Sequence, residues 1–301
     1  MEHSIKVGTA GWSYRDWKGA VYPVSPGKNF GELSYLARYF DVIEINSTFY
    51  RPPAPRTSAN WARHVSLNPE FKFTLKLWQK FTHQREGLSE EDVLTFKAGI
   101  DPLAEAGLLG CILFQFPWSF KNRPENRRYL EELMKIFHEY PRALEIRHAS
   151  WDSEEVYRFL EGEGLGFCNI DQPLFRGSIG PSQRYTAAAG YVRLHGQNHK
   201  EWFREGAGRD ERYNYLYSKK ELASWVKKII SISLKARETF VIANNHFRGQ
   251  AACNALQLKS MLTSGKVLVP APLLNTFPEL KELAEEDRGE PQDTDPQRRL
   301  L

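Results

Sequence analysis

CILFQFPWSFKNRPENRRYLEELMKIFHEYPRALEIRHASWDSEEVYRFLEGEGLGFCNID, residues 111–171, holds three short apolar runs separated by two amphipathic stretches. Cys111–Phe116 reads as a strand stopped by Pro117, Ala143–Arg147 as a second strand and Gly166–Asp171 as a third. Glu125–Glu139 and Ser153–Glu163 carry apolar residues at three-to-four spacing and read as helices. Strand, helix, strand, helix, strand is the order of parallel strands joined by helical crossovers. Working outward, Ile5–Gly8, Val42–Asn46 and Phe71–Leu77 supply earlier strands, with helices over Gly31–Phe40, Thr57–Leu67 and Ser89–Ala106. Tyr191–His195 and Phe240–Asn244 supply later ones, with helices over Ser218–Arg237 and Gln250–Leu262. Ser89 with Asp92, and Ser218 with Glu221, have capping-box spacing. Eight strands predict an α/β fold of one closed (β/α)8 TIM-type barrel over residues 1–278. The connection Gln172–Gly190, rich in Gly, Pro and Ser, predicts an irregular crossover after the sixth strand. Residues 279–301 read as a disordered, acidic, polar tail.

Composition narrows the class. Among the 301 residues, 41% are hydrophobic and 26% charged, as in ordinary globular chains. No uncharged apolar run approaches the ~18 residues of a membrane span. The opening MEHSIKVGTAGW has no apolar core before a small-residue cleavage site, so a cytoplasmic location is expected. Cys111, Cys168 and Cys253 lack metal-type or disulfide-framework spacing. The net charge is +4, but residues 279–301 hold eight carboxylates and four bases, which leaves the body at +8. That excess suits phosphate-bearing ligands without being the dense basic stripe of a nucleic-acid binder.

Alternation along strands sorts side chains to two faces. Apolar members can pack under helices, and their polar neighbours then point into the barrel mouth, where active sites of such barrels sit. This predicts an inward set of Glu44 and Asn46, Thr74 and Lys76, Gln115, Glu145 and Arg147, Asn169 and Asp171, Arg193 and His195, and Asn244. The same set has a purely structural reading, as ion pairs that satisfy one another. Aromatic residues after the strands, among them Trp12, Phe49, Tyr50, Trp118, Trp202 and Tyr213, suit stacking on sugars or bases, or simple sealing of loops.

Eight ordered blocks carry a resemblance: GTAGWSYRDWKGAVYP (8–23), EINSTFYRPP (44–53), FTLKLWQKFTH (73–83), LFQFP (113–117), LEIRHASW (144–151), YVRLHG (191–196), YNYLYSKKEL (213–222) and NNHFRGQAACNALQL (244–258). Together they resemble the YecE-like family, domain of unknown function seventy-two, over roughly residues 5 to 265. The resemblance implies a TIM-type barrel and no particular reaction. It places the family's motifs on the inward set above apart from Thr74 and Asn169, and on Trp12, Tyr50, His83 and Asn245 among others. Asn214 stands where the resemblance leads one to expect Asp in a YDY motif.

The chemistry expected from these residues is general acid–base hydrolysis of a sugar- or phosphate-bearing small molecule, with a nucleic-acid-derived substrate or partner included. Glu44, Lys76, Glu145, Asp171 and His195 are the candidate catalytic groups. Trp12, Asn46, Tyr50, Gln115, Arg147, Arg193, Asn244 and Asn245 are the candidate substrate-binding groups, the arginines suiting oxyanions. No cofactor is called for by motif. Glu145, Asp171 and His195 form an alternative divalent-metal set for a hydrolase or isomerase, with Arg147 and Arg193 competing for the carboxylates. A Schiff base on Lys76 and a non-catalytic small-molecule or nucleic-acid binding module complete the alternatives. No membrane partner is expected, and the oligomeric state is left open.

Overall fold

The strand–helix alternation read from residues 111–171 runs around the molecule with one interruption, at residues 172–188. The computed structural model describes residues 4–285 except 203, 205 and 207. Eight parallel strands close into a barrel in sequence order. They are β1 (Ser4–Ala10), β2 (Val42–Ile45), β3 (Lys72–Lys76), β4 (Leu109–Gln115), β5 (Arg142–Glu145), β6 (Gly166–Asp171), β7 (Ala189–Leu194) and β8 (Glu238–Ala243). The larger helices outside are Pro55–His64, Glu90–Glu105, Pro124–Ile136, Glu154–Gly162, Lys219–Ser233 and Gln250–Thr263. This is the expected TIM-type fold.

Local chemistry sets the helix ends. The Ser89 hydroxyl accepts from the Asp92 N–H at 3.4 Å. The Ser218 hydroxyl accepts from the Glu221 N–H, and the Glu221 carboxylate accepts from the Ser218 N–H at 2.8 Å, closing a full capping box. Behind it, Leu222, Trp225, Ile229 and Ile232 bury one face of the helix against the barrel. The helix expected over Gly31–Phe40 contracts to Glu32–Leu36. Leu280 is fully buried, and the Glu285 N–H donates to the Val267 carbonyl, so residues 279–285 pack onto the body instead of belonging to a tail. Residues 286–301 lie outside the described residues.

Register decides which side chains enter the barrel, because residues paired across parallel strands share a face. Arg193 of β7 reaches Glu44 of β2 and Glu145 of β5, so it points into the interior. Tyr191 and Arg193 pair with Cys168 and Ile170 of β6. Those two therefore point inward, and Asn169 and Asp171 point outward, the reverse of the expectation. The reason is the absence of a helix between β6 and β7. The outer face of β6 packs against extended backbone, which needs polar partners. Asn169 supplies them: its carbonyl accepts from the Arg184 N–H and the Ser182 hydroxyl, and its amide donates to the Arg184 carbonyl.

The pairing of β3 with β4 slips at one place, where Phe73 faces Leu109 and Thr74 faces Cys111. Gly110 is the extra residue of this bulge. A Cβ on Gly110 would lie 2.5 Å from the ring tip of Phe240, which plugs the barrel beside it. Gly110→Ala should therefore lower stability by about 1–3 kcal/mol. Urea unfolding checks this, and an unchanged midpoint contradicts it.

Candidate active site

At the centre of the barrel lies a charged network, built from the ends of β2, β5 and β7. The fully buried Arg193 guanidinium donates to Glu44 Oε1 at 2.7 Å and to Glu145 Oε2. Glu44 Oε2 accepts from the Tyr191 hydroxyl at 2.9 Å, which also lies 2.8 Å from the Thr74 hydroxyl. Glu145 Oε1 accepts from Arg147 at 2.8 Å and stands 3.4 Å from His195 Nε2. The Asn244 amide approaches His195 Nδ1 at 2.9 Å. Every carboxylate oxygen here is engaged, as burial of charge demands.

Electrostatics follow from that packing. Burial alone would push the Glu145 carboxyl up, but the Arg193 and Arg147 charges outweigh it and hold it well below the usual carboxylate range. Burial pushes the His195 imidazole down to about 3, with Glu145 opposing and Arg193 adding to the fall, so the ring is neutral at ordinary pH. Neither Glu44, Glu145, Arg193 nor His195 has an exposed side chain.

Above this network opens a cavity of about 490 Å³. Lys76, Asn46, Gln115 and Asn244 line it from strand ends, and Trp12, Phe49, Tyr50 and Tyr213 from the loops. A short helix, Ser47–Tyr50, carries Phe49 and Tyr50. Its Thr48 hydroxyl bonds to the Lys76 carbonyl at 2.8 Å and so fixes the end of β3. The Lys76 ammonium has no hydrogen bond or ion pair among the described residues; its nearest aromatic face is Phe49, 5.7 Å away. Burial, reinforced by Arg193, lowers the Lys76 amine to about 8. The Asn46 and Gln115 carbonyl oxygens are buried without a hydrogen-bond partner among the described residues.

The expected site residues thus divide. Trp12, Asn46, Tyr50, Lys76, Gln115 and Asn244 reach the cavity, and Arg147 lines a smaller one beside it. Glu44, Glu145, Arg193 and His195 lie beneath as the supporting network. Asp171 and Asn245 are on the other side of the wall. Asp171 accepts from Gln197 and from Tyr217, each at 2.6 Å, and burial raises its carboxyl. The Asn245 amide donates to the Tyr215 carbonyl and to Asn254. The alternative metal set is therefore not assembled: Glu145 and His195 meet, but Asp171 faces away. Among the described residues no group of three His, Cys, Asp or Glu side chains is arranged to hold a metal ion.

Three positions escaped the strand-end reading. Tyr191, which bonds Glu44, shares the inward face of β7 with Arg193 but lies two residues below the strand end. Gln172 is buried beside the mouth; it continues the inward face of Cys168 and Ile170, and the inverted reading of β6 concealed it. His83 stands on a π-type turn, Lys80–Gln84, that no periodicity announces. Asn214, the departure from YDY, accepts from the Gln250 amide at 3.0 Å, outside the cavity.

Fold and site together define a TIM-type barrel with an aromatic-walled, lysine-floored cavity at the mouth. The family described as "Protein of unknown function DUF72" matches residues 6–277, and the chain belongs to that family. It is 31% identical to the UPF0759 protein YunF of Bacillus subtilis over 273 residues, 86% of this chain and 94% of that one. The UPF0759 protein YecE of Escherichia coli K12 is 26% identical over 56% of this chain and 59% of its own length. A DUF72 family protein from Thermotoga maritima MSB8 matches at TM-score 0.76 and 38% identity, covering 87% of this chain and 100% of that one. A DUF72 family protein from Enterococcus faecalis V583 matches at TM-score 0.75 and 26% identity, over 86% of this chain and 95% of that one. No helix among the described residues is long and apolar enough to cross a membrane.

Proposed function

We propose that the barrel mouth performs acid–base hydrolysis on a small sugar- or phosphate-bearing molecule, with Lys76 as the group that gives and takes the proton. The observation that carries this is the contrast between Lys76 and the carboxylates. Glu44 and Glu145 are buried with their oxygens bonded, whereas the Lys76 ammonium lies unpaired on the cavity floor. An amine lowered to about 8 is matched to proton transfer near neutral pH. The ammonium protonates a leaving oxygen, and the amine takes a proton from water. The partnerless Asn46 and Gln115 oxygens accept from substrate hydroxyls, and flat aromatic walls suit a sugar face.

The test is turnover of p-nitrophenyl phosphate and a panel of p-nitrophenyl glycosides by wild type and Lys76→Met. Loss of about 10²–10⁴-fold in the variant, with the fold kept, supports the assignment. Equal rates in both, or no turnover of any probe, contradict it. The same unpaired amine favours a second reading, imine formation with a carbonyl substrate. Borohydride trapping of an aldehyde probe on Lys76 separates the two.

A further inference from the structure

Beside the Lys76 cavity lies a second one of about 360 Å³, which shares Gln115 and Tyr213 with the first as a common wall. Arg147, Gln172 and His83 contribute its polar lining, with Trp118 and Trp202 among its aromatic residues. Arg147 commits Nη2 to Glu145, and its guanidinium carbon lies over the Trp202 ring, 6.0 Å from the centroid. Its Nε and Nη1 have no hydrogen-bond partner among the described residues. Gln172, 2% exposed, has a buried amide nitrogen with no acceptor among the described residues. A buried donor without a partner is costly unless a ligand completes it. Charge points the same way: Lys76, Arg147 and Arg193 set three cations against the two carboxylates of Glu44 and Glu145.

We infer that this second cavity is an oxyanion subsite, which takes a terminal carboxylate or phosphate of the substrate whose reacting group sits over Lys76. Arg147 presents the free edge of its guanidinium to the anion, and the Gln172 amide donates to another of its oxygens. Gln115, between the two cavities, contacts the middle of the ligand. His83 lies in the same field: after burial, the Arg147 and Lys76 charges lower its imidazole to about 4, so it stands in the lining as a neutral donor or acceptor under the positive potential that an anion would meet. The inference rests on the Lys76 cavity being the reacting site, and it narrows the substrate to small molecules with one anionic end.

Calorimetric titration with inorganic phosphate and with acetate tests it, using wild type, Arg147→Gln, Arg147→Lys, Gln172→Leu and Lys76→Met. Saturable binding of at least one anion is expected. A drop of about tenfold in Arg147→Gln, and a smaller drop in Arg147→Lys and Gln172→Leu, supports the subsite. Glu145 keeps Arg193 in these variants, and thermal unfolding verifies that each is folded. Anion binding that survives in Lys76→Met supports the subsite even if Lys76 proves unreactive, so the two readings fail separately. Absence of saturable binding for both anions, or equal affinity in wild type and Arg147→Gln, overturns the subsite.

Discussion

Arg193→Met should lower the stability of the protein by about 3–5 kcal/mol, the usual cost of removing one partner from a buried ion pair. The arginine lies fully buried between Glu44 and Glu145 and is bonded to both. Glu145 would keep Arg147, whose side chain is 17% exposed and so already in contact with solvent. Among the described residues, Glu44 would keep only the Tyr191 hydroxyl as a hydrogen-bond partner. An unpaired carboxylate in that setting takes up a proton rather than remain charged, so its pKa in the folded variant rises above the unfolded value. The folded variant then binds more protons than the unfolded chain as pH climbs past the ordinary carboxylate range. Its stability falls with rising pH there. Urea unfolding at pH 5 and pH 8 should show the larger loss at pH 8. Adding Glu44→Gln to the variant should restore part of the loss and flatten the pH dependence. A loss under about 1 kcal/mol, or a larger loss at pH 5, would show that the network is not the electrostatic frame of the barrel.

Lys76 should be the fastest lysine to react with an amine-directed reagent near neutral pH. An amine at about 8 instead of 10.5 has a free-base fraction about two hundred times larger at pH 7.5. Limited reductive methylation, followed by peptide mapping, measures the rates residue by residue. The Lys76 rate should level off above a midpoint near 8, whereas surface lysines continue to rise beyond pH 10. Burial is the first cause of the lowering and Arg193 the second, with Glu44 and Glu145 opposing, so substitutions that leave these groups and Arg147 in place should leave the midpoint unchanged. A ligand filling the cavity should protect Lys76 and no surface lysine. A Lys76 rate no faster than those of surface lysines would remove the basis for its proton-transfer role.

Much of this molecule is legible from one sequence. The eight strands, and the helices that follow all of them but β6, are visible because parallel strands buried on both faces and amphipathic helices have different periods. Two helix starts are visible because a Ser hydroxyl and an acidic residue at the third position answer backbone N–H groups locally. Four of the cavity residues, Asn46, Lys76, Gln115 and Asn244, come from the same logic applied to strand ends. At β6 the logic fails, and Asp171 is exchanged for Gln172. Polar residues there face outward, because the segment packed on that strand is extended polar backbone and not an apolar helix face.

Sequence by itself therefore determined the order of elements, the closure into a barrel and the end of the barrel where polar groups collect. These depend on local periodicity and on hydrophobic burial, both written along the chain. Only the tertiary structure decided which of those polar groups are consumed and which are free. Glu44, Glu145 and Arg193 are 149 residues apart at the extreme, and their mutual neutralisation requires three strands to meet across the barrel interior. Among the described residues, that pairing leaves Lys76 at the cavity without a counterion, and Arg147 with one edge unused. A side chain's charge is set by its residue type, but its availability is set by what the fold places against it.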